Sequence, residues 1–468
     1  MGTLIQVSYF FAAVLFILGL KQMSSPVTAR RGVIGAGVGM VIATVATLFT
    51  PQLHGFANYA LMLTAIAIGG GYAWFTGKKV EMTKMPEMIA LYNGMGGGAA
   101  AAIAAVEIVK ALGKVQGEQT IADVMGGHVA IVAVIGALIG SVAFSGSLVA
   151  WGKLDGRLTR SSLVSQHQIV NMVLAALTLW FALQVYGAEG SLVVLVFFLC
   201  ALAFGVFATV PIGGADMPVV ISLFNALTGL AVGLEGYVLQ NPAMIIAGIV
   251  VGSAGTLLTQ LMAKAMNRSV WNVLVGGFGT TKASTNGATV EGTMKEIQAQ
   301  DAGIMMTYAD SVIIIPGYGM AVAQAQHKLW ELVQILQQKG VGVKFAIHPV
   351  AGRMPGHMNV LLAEAGVPYD MIYDMEDINS DFPNTTVSLV IGANDVVNPS
   401  ARNDESSPLY GMPILNAVDS QNVIVIKRGK GAGFSGVENT LFYADNTQML
   451  YGDGQKAIAE LIQAVKQL

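Results

Sequence analysis

The chain is organised by where its polar residues are missing. Between Gln168 and Ala263 the only Asp, Glu, Lys or Arg side chains are Glu189, Asp216 and Glu235, and polar character rises only after Lys264. A helix needs roughly 20 apolar residues to cross a hydrocarbon layer about 30 Å thick. Stretches of that kind run near residues 3–20, 33–50, 57–76, 86–112, 127–151, 168–187, 191–211, 217–239 and 243–263, which predicts nine membrane spans. The first has no basic segment before it and Lys21 behind it, so it reads as a retained helix rather than a cleaved signal.

Beyond the ninth span the pattern changes period. Residues from Ser269 to about Asp301 are rich in Gly, Thr, Ser, Asn and Ala, and 266–300 reads as a linker. From 301 onward short β-branched runs alternate with helical ones. Ser311–Pro316, Val343–Ile347, Val387–Ile391 and Asn422–Ile426 read as strands. A helix after Gly319 reaching Lys339, one from Asn359 to Ala365 and one from about Gly454 to Gln467 read as the layers on them. Strand–helix alternation predicts a doubly wound parallel sheet of Rossmann-like type for residues 301–468, behind a multi-span helical membrane domain at 1–265.

Charge sets the expected orientation. With nine spans, one set of loops carries Lys21, Arg30, Arg31, Lys78, Lys79, Lys84, Lys153, Arg157, Arg160, Lys264 and Arg268, and the other only Lys110 and Lys114. Eleven against two places the C-terminal region on the cytoplasmic side and the N-terminus outside. Charged residues are 11% of the chain, mean hydropathy is +0.62 and the net charge is -3, which excludes a basic nucleic-acid binder. One cysteine, Cys200, excludes a disulfide framework or a cysteine-built metal centre within this chain.

Candidate chemistry follows from position. Asp216 opens the eighth span, Asn225 comes nine residues later, and Asn93 lies near the middle of the fourth; polar groups at membrane depth are costly and usually line a polar path. Glu235, His128, Glu107 and His54 fall near outer span ends, where exposure is expected. In the sheet domain ligands belong at the carboxyl ends of strands. There stand Gly317-Tyr318-Gly319, then His348 to Asn359, then Gly392 to Asn398, then Lys427-Arg428 with a glycine-rich loop through Gly436. The glycine loop alone is a weak dinucleotide signal, since Val322 replaces its third glycine. Two adjacent cations before a glycine loop suit a phosphate monoester, and a 2′-phosphate separates NADP from NAD. His348 and His357 lack a third ligand at metal spacing, so no metal site is expected.

Pro316–Gln326, Ile347–Ala365, the Gly392–Pro399 segment and Ile212–Pro218 closely resemble the β subunit of the proton-translocating NAD(P) transhydrogenase family, along essentially the full chain. The resemblance implies an Si-specific enzyme active only with an α subunit. That partner would bring NAD(H) and further membrane helices, in an α2β2-type assembly in a bacterial inner membrane, while this chain would hold NADP(H).

It implies cofactor-binding roles for Gly317, Tyr318, Gly319, Ala321 and Val322, and for Val350, Ala351, Gly352, Arg353, Pro355, Gly356, His357, Met358 and Asn359. The same holds for Gly392, Ala393, Asn394, Asp395 and Asn398, for Lys427, Arg428, Gly429, Lys430, Gly433, Phe434, Ser435 and Gly436, and for Asp453. Asp395, Asp216, Asn225 and Asn93 would serve catalysis and proton movement, and Gly255 would be a tightly packed glycine. Two positions depart from better-known bacterial members: Asn93 stands where they carry histidine and Phe434 where they carry tyrosine. Asparagine does not titrate in the physiological range, so the proton-binding histidine is expected on a partner helix. The rival readings are a transporter or channel gated by an NADP(H)-sensing domain, and a membrane reductase, which lacks paired histidines for haem.

Overall fold

The computed structural model describes residues 2–51, 53–116, 119–158, 167–187, 190–213, 216–267, 269–270, 273, 292–354, 356–407, 409–429 and 435–468. Two compact units result: Met1–Ile212 with Val220–Thr259, and Gly213–Val219 with Gln260–Leu468.

The first unit is helical, and its last two helices include end residues counted with the second. Its elements are α1 (Gly2–Met23), α2 (Pro26–Leu48), α3 (Phe56–Lys79), α4 (Met85–Leu112), a short α5 (Ile121–Met125), α6 (Gly127–Leu154), α7 (His167–Tyr186), α8 (Ser191–Thr209), α9 (Met217–Val238) and α10 (Pro242–Ala265). Among the described residues nine of these, all but α5, are long and apolar enough to cross a membrane, matching the nine predicted runs. Thr120 and Asp123 cap α5 reciprocally: the Asp123 carboxylate accepts from Thr120 N at 2.8 Å, and Asp123 N donates to Thr120 Oγ1 at 3.4 Å. Phe56, Leu61, Ile68 and Trp74 of α3 are exposed, and α3 buries no residue within this chain. Such a surface is stable against hydrocarbon or another apolar helix.

Between apolar helices the hydrophobic effect supplies little, so contact depends on close backbone approach. A Cβ on Gly248 of α10 would lie 2.3 Å from Gly233 N, and one on Gly229 of α9 would lie 2.5 Å from Gly252 N. On α4 and α6 the same applies to Gly97 and Gly140, the latter's Cβ falling 2.8 Å from Gly97 O. Gly255 is pressed in the same way, its Cβ meeting Ala226 N at 2.8 Å. Lys153 closes the far end of α8, donating to Ile212 O at 2.7 Å and to Val210 O.

The second unit is built on a sheet of seven parallel strands: β1 (Lys295–Glu296), β2 (Ser311–Pro316), β3 (Gly342–Ile347), β4 (Ile372–Asp374), β5 (Val387–Ile391), β6 (Asn422–Lys427) and β7 (Thr447–Tyr451). Their order is β1-β7-β6-β5-β2-β3-β4, so the chain runs one way from β2 to β4, then restarts beside β2 and runs the other way. That reversal is the doubly wound topology, with its switch between β2 and β5. The helices are α11 (Ala299–Thr307), α12 (Tyr318–Val322), α13 (Gln326–Gln338), α14 (His357–Glu364), α15 (Met375–Ile378), α16 (Ser400–Asn403) and α17 (Gly454–Gln467). Ile313, Ile314, Ile315, Leu389, Ile424, Leu332 and Leu461 form the dry interior between sheet and helices.

Three features differ from expectation. β1 and the start of α11 fall inside the stretch read as linker, because Lys295 and Glu296 pair with Gln448 and Met449 of β7. β4 and β7 carry too few β-branched residues to stand out. The single helix expected from Gly319 to Lys339 is two, broken where Gln324 takes φ 50° and Ala325 N returns to Met320 O at 3.1 Å, a left-handed helix end.

Gly248→Ala is expected to lower the thermal midpoint of the detergent-solubilised protein, since overpacking costs roughly 1–3 kcal/mol. Gly35→Ala, whose Cβ meets nothing within 4 Å, should leave that midpoint unchanged or raise it; differential scanning of both variants checks the contrast.

Candidate functional site

The carboxyl edge of the sheet collects the sequence-predicted loops at the switch point. Gly317 N donates to Ile391 O at 2.8 Å and Gly319 N to Gly392 O at 2.9 Å, so the loop after β2 lies directly on the loop after β5. A Cβ on Gly317 would fall 2.4 Å from Gly392 O, and one on Gly319 would fall 2.6 Å from Gly392 Cα. Gly392 itself has φ 70°, and its Cβ would sit 2.2 Å from Met320 N. The glycines expected to admit a phosphate therefore also admit another stretch of backbone. Ala321 is buried beneath this contact, while Val322, which replaces the third glycine, is exposed.

Around the end of β3 a cation, an aromatic ring and an imidazole are assembled. The Arg353 guanidinium lies 4.4 Å from the Tyr318 ring centre, and the His357 ring is 6.2 Å from that of Tyr318. Arg353 N donates to His357 Nδ1 at 3.2 Å, and a Cβ on Gly352 would meet His357 Cβ at 2.5 Å. Gly356, at φ 67°, caps α14 with open space around it; Val350 and Asn359 are half-buried, Ala351 and Met358 buried. Burial, then the Arg353 charge, pushes the His357 imidazole down to about 4. Burial likewise lowers His348 to about 4, against the partial support of Pro413 O, 2.9 Å from its Nε2.

The loop after β5 is laced to the loop after β6. Asp395 accepts from Ser435 N at 3.0 Å and from Ser435 Oγ at 2.7 Å. Asn398 Nδ2 donates to Glu438 O at 3.2 Å, and Asn439 Nδ2 to Asn394 O at 2.9 Å. Asn439, buried and missed in the sequence, holds Asn394 through both its backbone O and its side-chain Oδ1. Its signal is only that an asparagine side chain can donate to the backbone of a neighbouring loop. Lys427 Nζ stands 4.4 Å from the Phe442 ring centre; burial lowers its basicity while Asp395 and Glu438 oppose that shift. Arg428, Gly429 and Gly436 are exposed beside it. Asp453 caps α17, accepting from Gln455 N at 3.1 Å. Pro355, Lys430, Gly433 and Phe434 lie outside the described residues.

In the membrane unit, Asn93 Nδ2 donates to Ser147 Oγ of α6 at 3.1 Å, and Thr228 Oγ1 of α9 to Asn93 O at 3.4 Å. Asn225 is half-buried one turn from Thr228, and Asp216, one residue before α9, is buried. Ser147 and Thr228 had passed unremarked, because a hydroxyl in an apolar run also satisfies itself on its own helix. His54 and His128 are exposed as expected. Glu235 is not: it is 0% exposed, because α9 turns it against α6, which the span-end position alone did not reveal.

What the edge of the sheet can do chemically is bind an anionic ligand along Arg353, Lys427 and Arg428, with Tyr318 offering a ring face. The sequence profile of the NAD(P) transhydrogenase beta subunit matches residues 5–464. NAD(P) transhydrogenase subunit beta of Rhodospirillum rubrum is 44% identical over 466 residues, 99% of each chain, and a second sequence from a named strain of that species matches to the same extent.

The two lowered histidines give a pH signature. Unfolded imidazoles titrate near 6.5 and these fold at about 4, so unfolding takes up protons between those values and stability falls as pH drops through that window. The loss is about 3 kcal/mol per histidine at its limit, by 1.36 kcal/mol per pH unit. Hydrogen exchange at β3 amides in the full-length protein, converted to opening free energies at pH 7 and 4.5, should show it, and His348→Gln should remove part of the slope.

Proposed function

Because this chain belongs to the NAD(P) transhydrogenase beta subunit family, we propose that it is the NADP(H)-holding and proton-conducting subunit of a proton-translocating transhydrogenase. The family match supports this over a nucleotide-gated transporter. A beta subunit has an alpha partner, and in this proposal the alpha subunit holds NAD(H), supplies further membrane helices and joins as α2β2. The chain is a multi-pass membrane protein; the eleven-to-two cation asymmetry supports placing its sheet domain in the cytoplasm and its N-terminus outside, in a bacterial inner membrane.

The observation that carries the NADP(H) assignment is the pair Lys427 and Arg428 at the carboxyl end of β6, in a sheet whose switch-point loops also present Arg353 and Tyr318. These residues fit a dinucleotide bearing an additional phosphate: two cations for the 2′-phosphate, and Arg353 with the Gly356–Asn359 turn for pyrophosphate and ribose. The glycine loop Gly317–Val322 lies against the nucleotide. Ser435 on Asp395 ties the loop after β6 to the switch point, so the charge on Asp395 is linked to the order of that loop. When bound, the nucleotide supplies the carbon that accepts hydride from NADH held by the partner; this chain orients it and excludes water.

Asp216, Asn225 and Asn93 line the proton path, with a partner histidine titrating beside Asn93. Coupling works through two states that differ in nucleotide affinity, and about 2.3 kcal/mol per proton charge per 100 mV is available to shift them.

The test is equilibrium binding of NADPH and NADH to the full-length chain and to Lys427→Ala/Arg428→Ala. NADPH preference that falls about 100-fold in the double variant, in keeping with roughly 1.5–3 kcal/mol per charged hydrogen bond, supports the assignment. Equal affinity for the two nucleotides in the unaltered protein would remove it.

A further inference from the structure

Between the glycine-rich loop and β7 the chain places a carboxylate, an amide and two aromatic rings close together, Glu438, Asn439, Phe442 and Tyr443. A short 3-10 turn over Thr440–Tyr443 starts at Asn439, whose Oδ1 accepts from Leu441 N at 2.9 Å. The turn sends Phe442 inward, 2% exposed, so that Lys427 Nζ rests over its ring. Tyr443, half-buried, reaches back to Glu438 and donates its hydroxyl to Glu438 Oε1. The carboxylate pushes the Tyr443 phenol up to about 12, so at neutral pH it stays a protonated donor to a charged acceptor. Tyr443 is in turn pressed from behind, since a Cβ on Gly292 would lie 3.1 Å from its Cβ.

Glu438 is therefore fixed at its base as well as at its tip. Its backbone oxygen accepts from Asn398 Nδ2 at 3.2 Å, and the next residue, Asn439, is tied to Asn394 O at 2.9 Å. Two carboxylates, Asp395 and Glu438, act on the charge of Lys427. Asp395 has both oxygens on Ser435 and serves as a loop clasp. Glu438 is exposed, and the NADP(H) reading gives it no role. A phosphate arriving at Lys427 gains a cation, but it also meets the negative charge of Glu438, which Tyr443 keeps from turning away.

We propose that Glu438 sets how tightly this chain holds the 2′-phosphate of NADP(H): fixed by Tyr443, its carboxylate competes with that phosphate for Lys427 and keeps the nucleotide exchangeable. The inference rests on the NADP(H) reading of the site and adds to it the residue that limits affinity. Glu438 acts through Lys427 and touches no reacting carbon. It is a specificity-determining position, because a nucleotide without the 2′-phosphate makes no demand on that lysine. Tyr443 is a positioning residue, since its hydroxyl decides where the carboxylate points.

The experiment is equilibrium binding and dissociation of NADPH and NADH on the full-length chain, unaltered and as Glu438→Gln, Glu438→Asp and Tyr443→Phe. Glu438→Gln should tighten NADPH about two- to fivefold, the scale of one exposed charge pair, and slow its release by a similar factor, with NADH affinity unchanged. Glu438→Asp keeps the charge and should lie between that variant and the unaltered protein. Tyr443→Phe frees the carboxylate and should tighten NADPH by a smaller factor. The gain in Glu438→Gln should shrink as salt rises from about 0.05 to 0.5 M, because screening acts on a charge and not on a packing contact. A Glu438 that merely supports the loop gives the opposite sign: NADPH binding that weakens or stays the same in Glu438→Gln overturns the inference, while NADPH preference in the unaltered protein leaves the reading of the site standing. Should Glu438→Gln fail to fold, Tyr443→Phe decides, and unchanged or weaker NADPH binding there overturns the inference equally. Equal affinity of the unaltered protein for the two nucleotides removes the NADP(H) reading, and this inference with it.

Discussion

Backbone approaching backbone without an intervening side chain is the constraint on which both units depend. In the membrane unit, water cannot drive apolar helices together, so α4 on α6 and α9 on α10 gain their contact energy by approaching to within the reach of a single Cβ, at Gly97, Gly140, Gly229 and Gly248. In the sheet unit the same device, at Gly317, Gly319 and Gly392, lets the loops after β2 and β5 lie on one another at the point where strand order reverses.

Polar groups are then distributed according to what those contacts leave dry. Asn93, Ser147 and Thr228 pair with one another across three helices, and an amide or hydroxyl satisfied in this way carries no net charge to desolvate. Glu235 is the contrast, a buried carboxyl group in a glycine notch of α6 with no hydrogen-bond partner among the described residues. On the sheet, Asp395 spends both oxygens on Ser435, so a group expected to face the nucleotide is at the same time the clasp of the neighbouring loop.

Family membership and local chemistry answer different questions here. The match along residues 5–464 says that the chain belongs to the transhydrogenase beta subunit family, and the arrangement of Arg353 on Tyr318, with Lys427 above Phe442, describes the cationic side chains at the carboxyl edge of its sheet. Aromatic rings beneath two cations limit where those cations can point, and a bound phosphate would meet groups already partly ordered.

The nine spans were legible in the sequence because an apolar run of about 20 residues has no stable alternative in a bilayer, whatever its neighbours. β2, β3, β5 and β6 were legible for a related reason: β-branched runs bounded by turn residues favour one backbone region. β4 and β7 were not, since Ile-Tyr-Asp and Thr-Gln-Met-Leu-Tyr become strands only when an existing sheet offers its edge. The helix break at Gln324 likewise rests on a left-handed residue and on Ala325 N returning to Met320 O. The site's residue types and their positions after strands could be read directly, because topology alone puts strand ends together. Which partner each side chain chose could not: Ser435 on Asp395, Asn439 on Asn394 and Glu235 in its notch all join residues far apart in the chain. Burial and hydrogen bonding are properties of a neighbourhood, and only the tertiary structure assembles that neighbourhood.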